Sequence, residues 1–271
     1  MRFKLLLILA LIAALGASSC KNKARSKLPD KNDKVTAFAT IPSYKVMFLA
    51  LDKLEAADSA NLDRSAVLQA TEDTLHLAFS WGVLSANAQL AVNGRDVAWL
   101  QAITGQLTDL APALGFKDIA AKLDADVQPL ISKGDWDLLE ATFYNLQYTV
   151  EQDLWKLERY ADYTLMALGA WARSTNQIAR LVSLDYRTDT ATLLMQRDAW
   201  QSLAENLGLI SAPNYVSSAP FKQALAQVRE MRALMDQPLK GTFNEEQLSR
   251  IITVTEQIWE AFNPPPNMET P

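Results

Sequence analysis

The 271-residue sequence predicts an all-α chain, and three observations carry that prediction. Beyond Pro42 the apolar residues recur at spacings of three and four rather than two, which marks a helix face. No alternating apolar and polar run is bounded by turn residues. With 9 Gly and 11 Pro, the chain has too few tight-turn residues for a many-stranded fold. At 49% hydrophobic it can bury a full core without disulfides, and its single cysteine allows none within the chain.

A short helix is expected near 43–57. A first set of helices follows near 64–92, 95–114, 116–131 and 135–157, and a second near 161–184, 189–207, 218–237 and 244–262. The last is the clearest. Asn244 and Gln247 make a capping-box start, Leu248, Ile251, Ile252, Thr255, Ile258, Trp259 and Phe262 line one face, and Pro264-Pro265-Pro266 end it. Before it, Ser218 can cap a helix with Pro220 in its first turn, and Phe221, Leu225, Val228, Arg232 and Met235 follow at helical spacing. One unbroken helix over 135–184 would be about 75 Å long, too long for a body of this size. A break is therefore expected near Arg159–Asp162, although neither Gly nor Pro marks it.

The two sets share landmarks in the same order. Thr74–Trp81 and Thr164–Trp171 share their first and last residues at an offset of 90, as do Ala91-Val92 and Leu181-Val182 in apolar character. Trp99 with Leu114-Gly115 parallels Trp200 with Leu207-Gly208, and Gln128-Pro129-Leu130 parallels Gln237-Pro238-Leu239. The expected body, residues 42–262, is two tandem four-helix units, about 64–157 and 161–262, related by an internal repeat and packed as one pseudo-two-fold helical body.

Residues 1–19 read as a leader, with Arg2 and Lys4 before the apolar run Leu5–Leu15 and the small residues Gly16-Ala17-Ser18-Ser19 after it. The apolar run is 11 residues, short of the roughly 20 that span a membrane. Because Cys20 follows directly, Ala17-Ser18-Ser19-Cys20 resembles a lipobox. The resemblance implies an acylated Cys20 that anchors the chain to a membrane through lipid; ordinary cleavage at the same small residues would leave a free thiol. Lys21 stands where an inner-membrane retention signal carries aspartate, which implies the outer membrane, facing the periplasm or the surface. Residues 20–41 form a basic, aperiodic tether, either attracted to anionic headgroups or a plain spacer. Residues 263–271 are a Pro-rich tail. Of 26 basic and 31 acidic residues, two basic residues lie in the leader, and six basic with two acidic residues lie in 21–34. The remaining 18 and 29 give a net charge of −11, which argues against a nucleic-acid partner.

The leader followed by a helical body, with Gly82-Val83-Leu84-Ser85-Ala86-Asn87 early and Leu168-Gly169-Ala170-Trp171 midway, resembles a family of all-helical bacterial lipoproteins with an internal repeat and no assigned activity. That family's motifs read roughly Gly-Val-x-Gly-Ala-Asp and Gly-Gly-Trp-x-Glu. Ser85, Asn87, Ala170 and Arg173 depart from them.

Several chemistries are excluded or disfavoured. The single histidine, His76, cannot supply a multi-histidine metal site, and the second set places Thr164 and Met166 at its equivalents, so a di-iron bundle cannot be completed. A His76–Met166 haem is conceivable, but a histidine at the core boundary is the expectation. No phosphate-cradling loop, nucleophile elbow or zinc-protease helix occurs. No catalytic residue, metal or cofactor is expected. Seven tryptophans are the notable excess. Trp81, Asn87, Tyr144, Trp171 and Arg173 are the candidate ligand-contacting residues, set in an aromatic cleft between the units, with an envelope protein as a possible partner. The expectation is a binding or scaffolding role rather than catalysis. The alternative is a carrier of a small amphipathic or anionic ligand, and a buried Arg173 would then need a carboxylate or an anionic ligand beside it.

Overall fold

Two helices that touch backbone to backbone organise the structure, a computed structural model that describes residues 37–54, 61–64, 73–237 and 242–263. The leader, Cys20, most of the tether and the Pro-rich tail from 264 lie outside the described residues. Among those described, all regular structure is helical, with no strand. A 3₁₀ segment, Tyr44–Lys53, precedes α1, Thr74–Asn93. Then come α2, Val97–Leu110, and α3, Lys117–Lys122, which runs through a π turn at Leu123–Val127 into α4, Gln128–Lys133. After α5, Trp136–Lys156, follow α6, Tyr160–Leu184, the short α7, Thr188–Ala191, and α8, Arg197–Leu209. The chain ends with α9, Pro213–Val216, α10, Ala219–Asp236, and α11, Glu245–Phe262.

Sequence chemistry explains most boundaries. Asp73 caps α1 by accepting from the Leu75 N–H, so this helix begins at Thr74; residues 65–72 of the expected helix lie outside the described residues. Asp96 and Asp135 cap α2 and α5 in the same way, and Gly134 ends α4 in the left-handed conformation. The full capping box of Asn244 and Gln247 opens α11 as expected. The break between α5 and α6 falls at 157–159. There Glu158 takes φ 56°, an unusual conformation for a residue with a Cβ. Arg159 staples the break, donating to the Leu114 carbonyl (2.7 Å) and to Asp162 (2.7 Å). A turn held by a side chain bonded 45 residues away leaves no local Gly or Pro signal.

Burial sorts the helices. In α1, 16 of 20 residues are buried and in α6, 19 of 25, so these two form the centre and the rest pack around them. Helix α1 is flanked by α2 and α5, with α3–α4 closing the ring; α6 is flanked by α8 and α11, with α10 closing a second. Phe79 of α1 lies against Gly169 of α6, and Asn87 meets Arg173 further along both, so the two helices run in the same direction.

They meet at Gly82 and Gly169. A Cβ on Gly82 would lie 1.8 Å from the Met166 carbonyl oxygen and 2.8 Å from the Ala170 nitrogen. A Cβ on Gly169 would lie 2.1 Å from the Phe79 carbonyl oxygen and 3.2 Å from the Val83 nitrogen. The two contacts are reciprocal: exchanging the helices at an offset of 87 turns one into the other. The sequence landmarks that match Trp81 with Trp171 do so at an offset of 90, a different register from that of the crossing. At 87, Gly82 pairs with Gly169, Trp81 with Leu168, and Leu84 with Trp171. Three residues are nearly one helical turn, so apolar patterns still match after such a slip, whereas backbone contact tolerates none.

Alanine at Gly82 or Gly169 would press on backbone, which no rotamer change relieves. Gly82→Ala and Gly169→Ala should each cost about 2–3 kcal/mol, a fall in Tm of roughly 5–10 °C. Gly105 in α2 has nothing within 4 Å of a Cβ. Gly105→Ala should therefore leave Tm unchanged or raise it, by about 0.5–1 kcal/mol of helix propensity. Differential scanning calorimetry of the three variants checks the contrast.

Candidate functional site

Beside the glycine crossing, a cavity of about 160 Å³ opens between α1, α6 and α11. Helical spacing builds each wall. Phe79 and Val83 come from α1; Ala172, Arg173, Asn176 and Arg180 from α6; Thr255, Glu256, Trp259 and Glu260 from α11. Asp63 closes one side from the segment before α1.

Arg173 anchors the site and is 8% exposed. Its Nε donates to Asn87 Oδ1 (2.7 Å), its Nη1 to Asp63 Oδ2 (3.1 Å), and its Nη2 to the Asp63 carbonyl. Asp63 is held in turn, its N–H donating to Gln177 Oε1 (3.0 Å). Burial lowers the guanidinium's proton affinity and Asp63 opposes the shift; so high an ordinary pKa keeps the group charged. The expected carboxylate partner of a buried Arg173 is thus Asp63. Further along α6, Arg180 Nε donates to Asn176 Oδ1 (3.0 Å) and its Nη2 pairs with Glu256. Asn176 Nδ2 donates to Thr255 Oγ1 (3.0 Å), so a polar chain crosses from α6 to α11.

The fold separates the other residues expected to share a cleft. Trp171 is 1% exposed, lies edge-on to Trp200 and donates its Nε1–H to the Pro42 carbonyl (2.9 Å). Trp81 is equally buried, on the far side of α1 against Phe116. Both are core. The small cavity beside Trp81, about 10 Å³, has no room for a ligand. Only Asn87 and Arg173 come together, and of these Arg173 lines the cavity between α1, α6 and α11. His76 sits against Phe262 with its Nδ1 2.9 Å from Asp73. No group of three or more His, Cys, Asp or Glu converges among the described residues. The residues that sequence reasoning missed are Asn176, Arg180, Glu256, Trp259 and Glu260. The signal was present in α6, where Arg173, Asn176 and Arg180 make a polar stripe along an otherwise buried helix.

Tyr144 lies elsewhere, on the exposed face of α5 with the Lys45 ammonium 4.0 Å from its ring centre. Tyr148, Val46 and Leu49 are exposed with it, Leu49 at 70%. Beneath this face Tyr44 donates to Gln147 Oε1, and Gln147 Nε2 donates to Glu151 Oε1 (2.8 Å). Burial pushes the Glu151 carboxyl above its usual 4.5 against the opposing Gln147 bond.

Two tests follow from these environments. Arg173→Met should cost about 2–3 kcal/mol in urea unfolding, less than the roughly 3–5 of a fully buried pair, because Asp63 keeps a third of its side chain in water. Glu151 binds its proton more tightly folded than unfolded, so it lowers stability as pH rises from 4.5 through its raised value, and the deficit persists above it. Glu151→Gln should therefore be more stable than the parent at pH 7.5 and close to it at pH 4, by urea titration at both.

No helix among the described residues is long and apolar enough to cross a membrane. No protein family, curated protein or solved structure matches the chain.

Proposed function

We propose that the protein is a lipid-anchored, helical binding lipoprotein of a bacterial envelope, which holds a small amphipathic or anionic ligand in the cavity between α1, α6 and α11 and performs no catalytic step. The carrying observation is the cavity's chemistry. A buried arginine and a second guanidinium face an apolar floor and a tryptophan, a combination that binds polar and apolar parts together. This replaces the aromatic cleft around Trp81 and Trp171 with a site one helix face away. The anchor is Cys20, with Lys21 favouring the outer membrane, and an acidic body disfavours nucleic acid.

The body reads as two four-helix units related by an approximate two-fold axis along α1 and α6. The reciprocal glycine contact supports this, as does the matching neighbour order α1–α2–α3/α4–α5 and α6–α8–α10–α11. The exposed group Val46, Leu49, Tyr144 and Tyr148 favours a second reading, a scaffold that docks an envelope protein on its α5 face.

Cys20→Ala should move the protein from the detergent phase to the aqueous phase on Triton X-114 partitioning; a variant that stays with detergent refutes the anchor. Native mass spectrometry of protein extracted from its own membrane should show a small bound species. Trp259→Ala should lose that species and keep most of its stability. Trp171→Ala should cost roughly 3–5 kcal/mol as a core truncation.

A further inference from the structure

Resting on the reading of the α1–α6–α11 cavity as a ligand site, we infer that its ligand is a small zwitterion, a free α-amino acid or betaine with a compact apolar group. Each guanidinium carries five N–H donors. Arg173 uses three of them, on Asn87 and Asp63, and Arg180 uses two, on Asn176 and Glu256, so both keep donors for a carboxylate. On the α11 wall Glu260 is an exposed residue that lines the cavity, and the half-buried Trp259 precedes it. An ammonium at this wall would meet charge from Glu260 and the face of the Trp259 ring.

Net charge separates the possible ligands. The lining residues carry two positive groups, Arg173 and Arg180, and three negative ones, Asp63, Glu256 and Glu260. A simple anion meets an excess of negative charge, and a simple cation leaves the guanidinium donors unfilled. A zwitterion adds no net charge and places each end against its complement. Phe79, Val83 and Ala172 offer an apolar floor for a branched side chain. The volume, about 160 Å³, is close to that of an engineered cavity that takes benzene, so the ligand has on the order of eight non-hydrogen atoms. The side chains of Arg180 and Glu256 are 46% and 39% exposed, so the cavity opens to solvent at that end.

The test is isothermal titration calorimetry of the full chain with four probes that share one branched four-carbon skeleton: L-valine, 3-methylbutanoate (no amine), isobutylamine (no carboxylate) and 3-methyl-1-butanol (no charge). L-valine should bind at least about tenfold more tightly than any other probe. Glu260→Gln should reduce its preference over 3-methylbutanoate to under about threefold. If 3-methylbutanoate or isobutylamine matches L-valine, or only the alcohol binds, the zwitterion inference is overturned and the ligand site stands. If none of the four binds, both are overturned.

Discussion

The backbone contact of α1 with α6 at Gly82 and Gly169 is the constraint on which the rest of the structure depends. Each glycine sits where a side-chain carbon would overlap the other helix's carbonyl, so the two axes come as close as helices can. Such closeness requires small residues and fixes rotation and register together, because any slide brings a larger side chain to the crossing. The surrounding helices then pack on the outer faces of a rigid pair. Their own apolar stripes, such as Leu248, Ile251, Val254, Ile258 and Phe262 of α11, need only face inward.

The same contact creates the cavity. Where α1 and α6 touch, the third helix, α11, cannot fill the hollow along their junction with apolar side chains alone. Phe79 stacks on Phe262 at one end of this junction, and the polar chain Arg180–Asn176–Thr255 occupies the other. Arg173 lies between them, with its charge balanced by Asp63 and its orientation set by Asn87 on the opposing central helix. A buried guanidinium so arranged is a poor choice if packing alone is at stake, since hydrophobic replacements of buried ion pairs are often neutral or stabilising. It does place a fixed positive group beside an accessible volume.

Asn87 and Arg173 are direct hydrogen-bond partners across the α1–α6 pair. One neutral acceptor and one cation form a bond without full charge neutralisation, and Asp63 supplies the rest. The tryptophans drew attention by their number, and Trp81 and Trp171 proved to be packing. Trp171 packs edge-on against Trp200 in the core, and Trp81 packs against Phe116.

The sequence by itself determined the helical class, most helix boundaries and the excluded chemistries, because these depend on local periodicity, caps and residue inventory. Asn244 and Gln247 cap α11 whatever lies beyond them, and one histidine cannot make a three-histidine site. The π turn in α3–α4, the break at Glu158, the offset of 87 and the residues that share the cavity were decided only by tertiary structure. Each depends on atoms far apart in the chain: Arg159 reaching Leu114, Gly82 touching Met166, Arg173 meeting Asp63, and Asn176 meeting Thr255. Helical periodicity states which face of a helix is apolar. It carries no information on which other helix that face meets, since an apolar stripe packs against any stripe of similar width until backbone contact and buried charge select one.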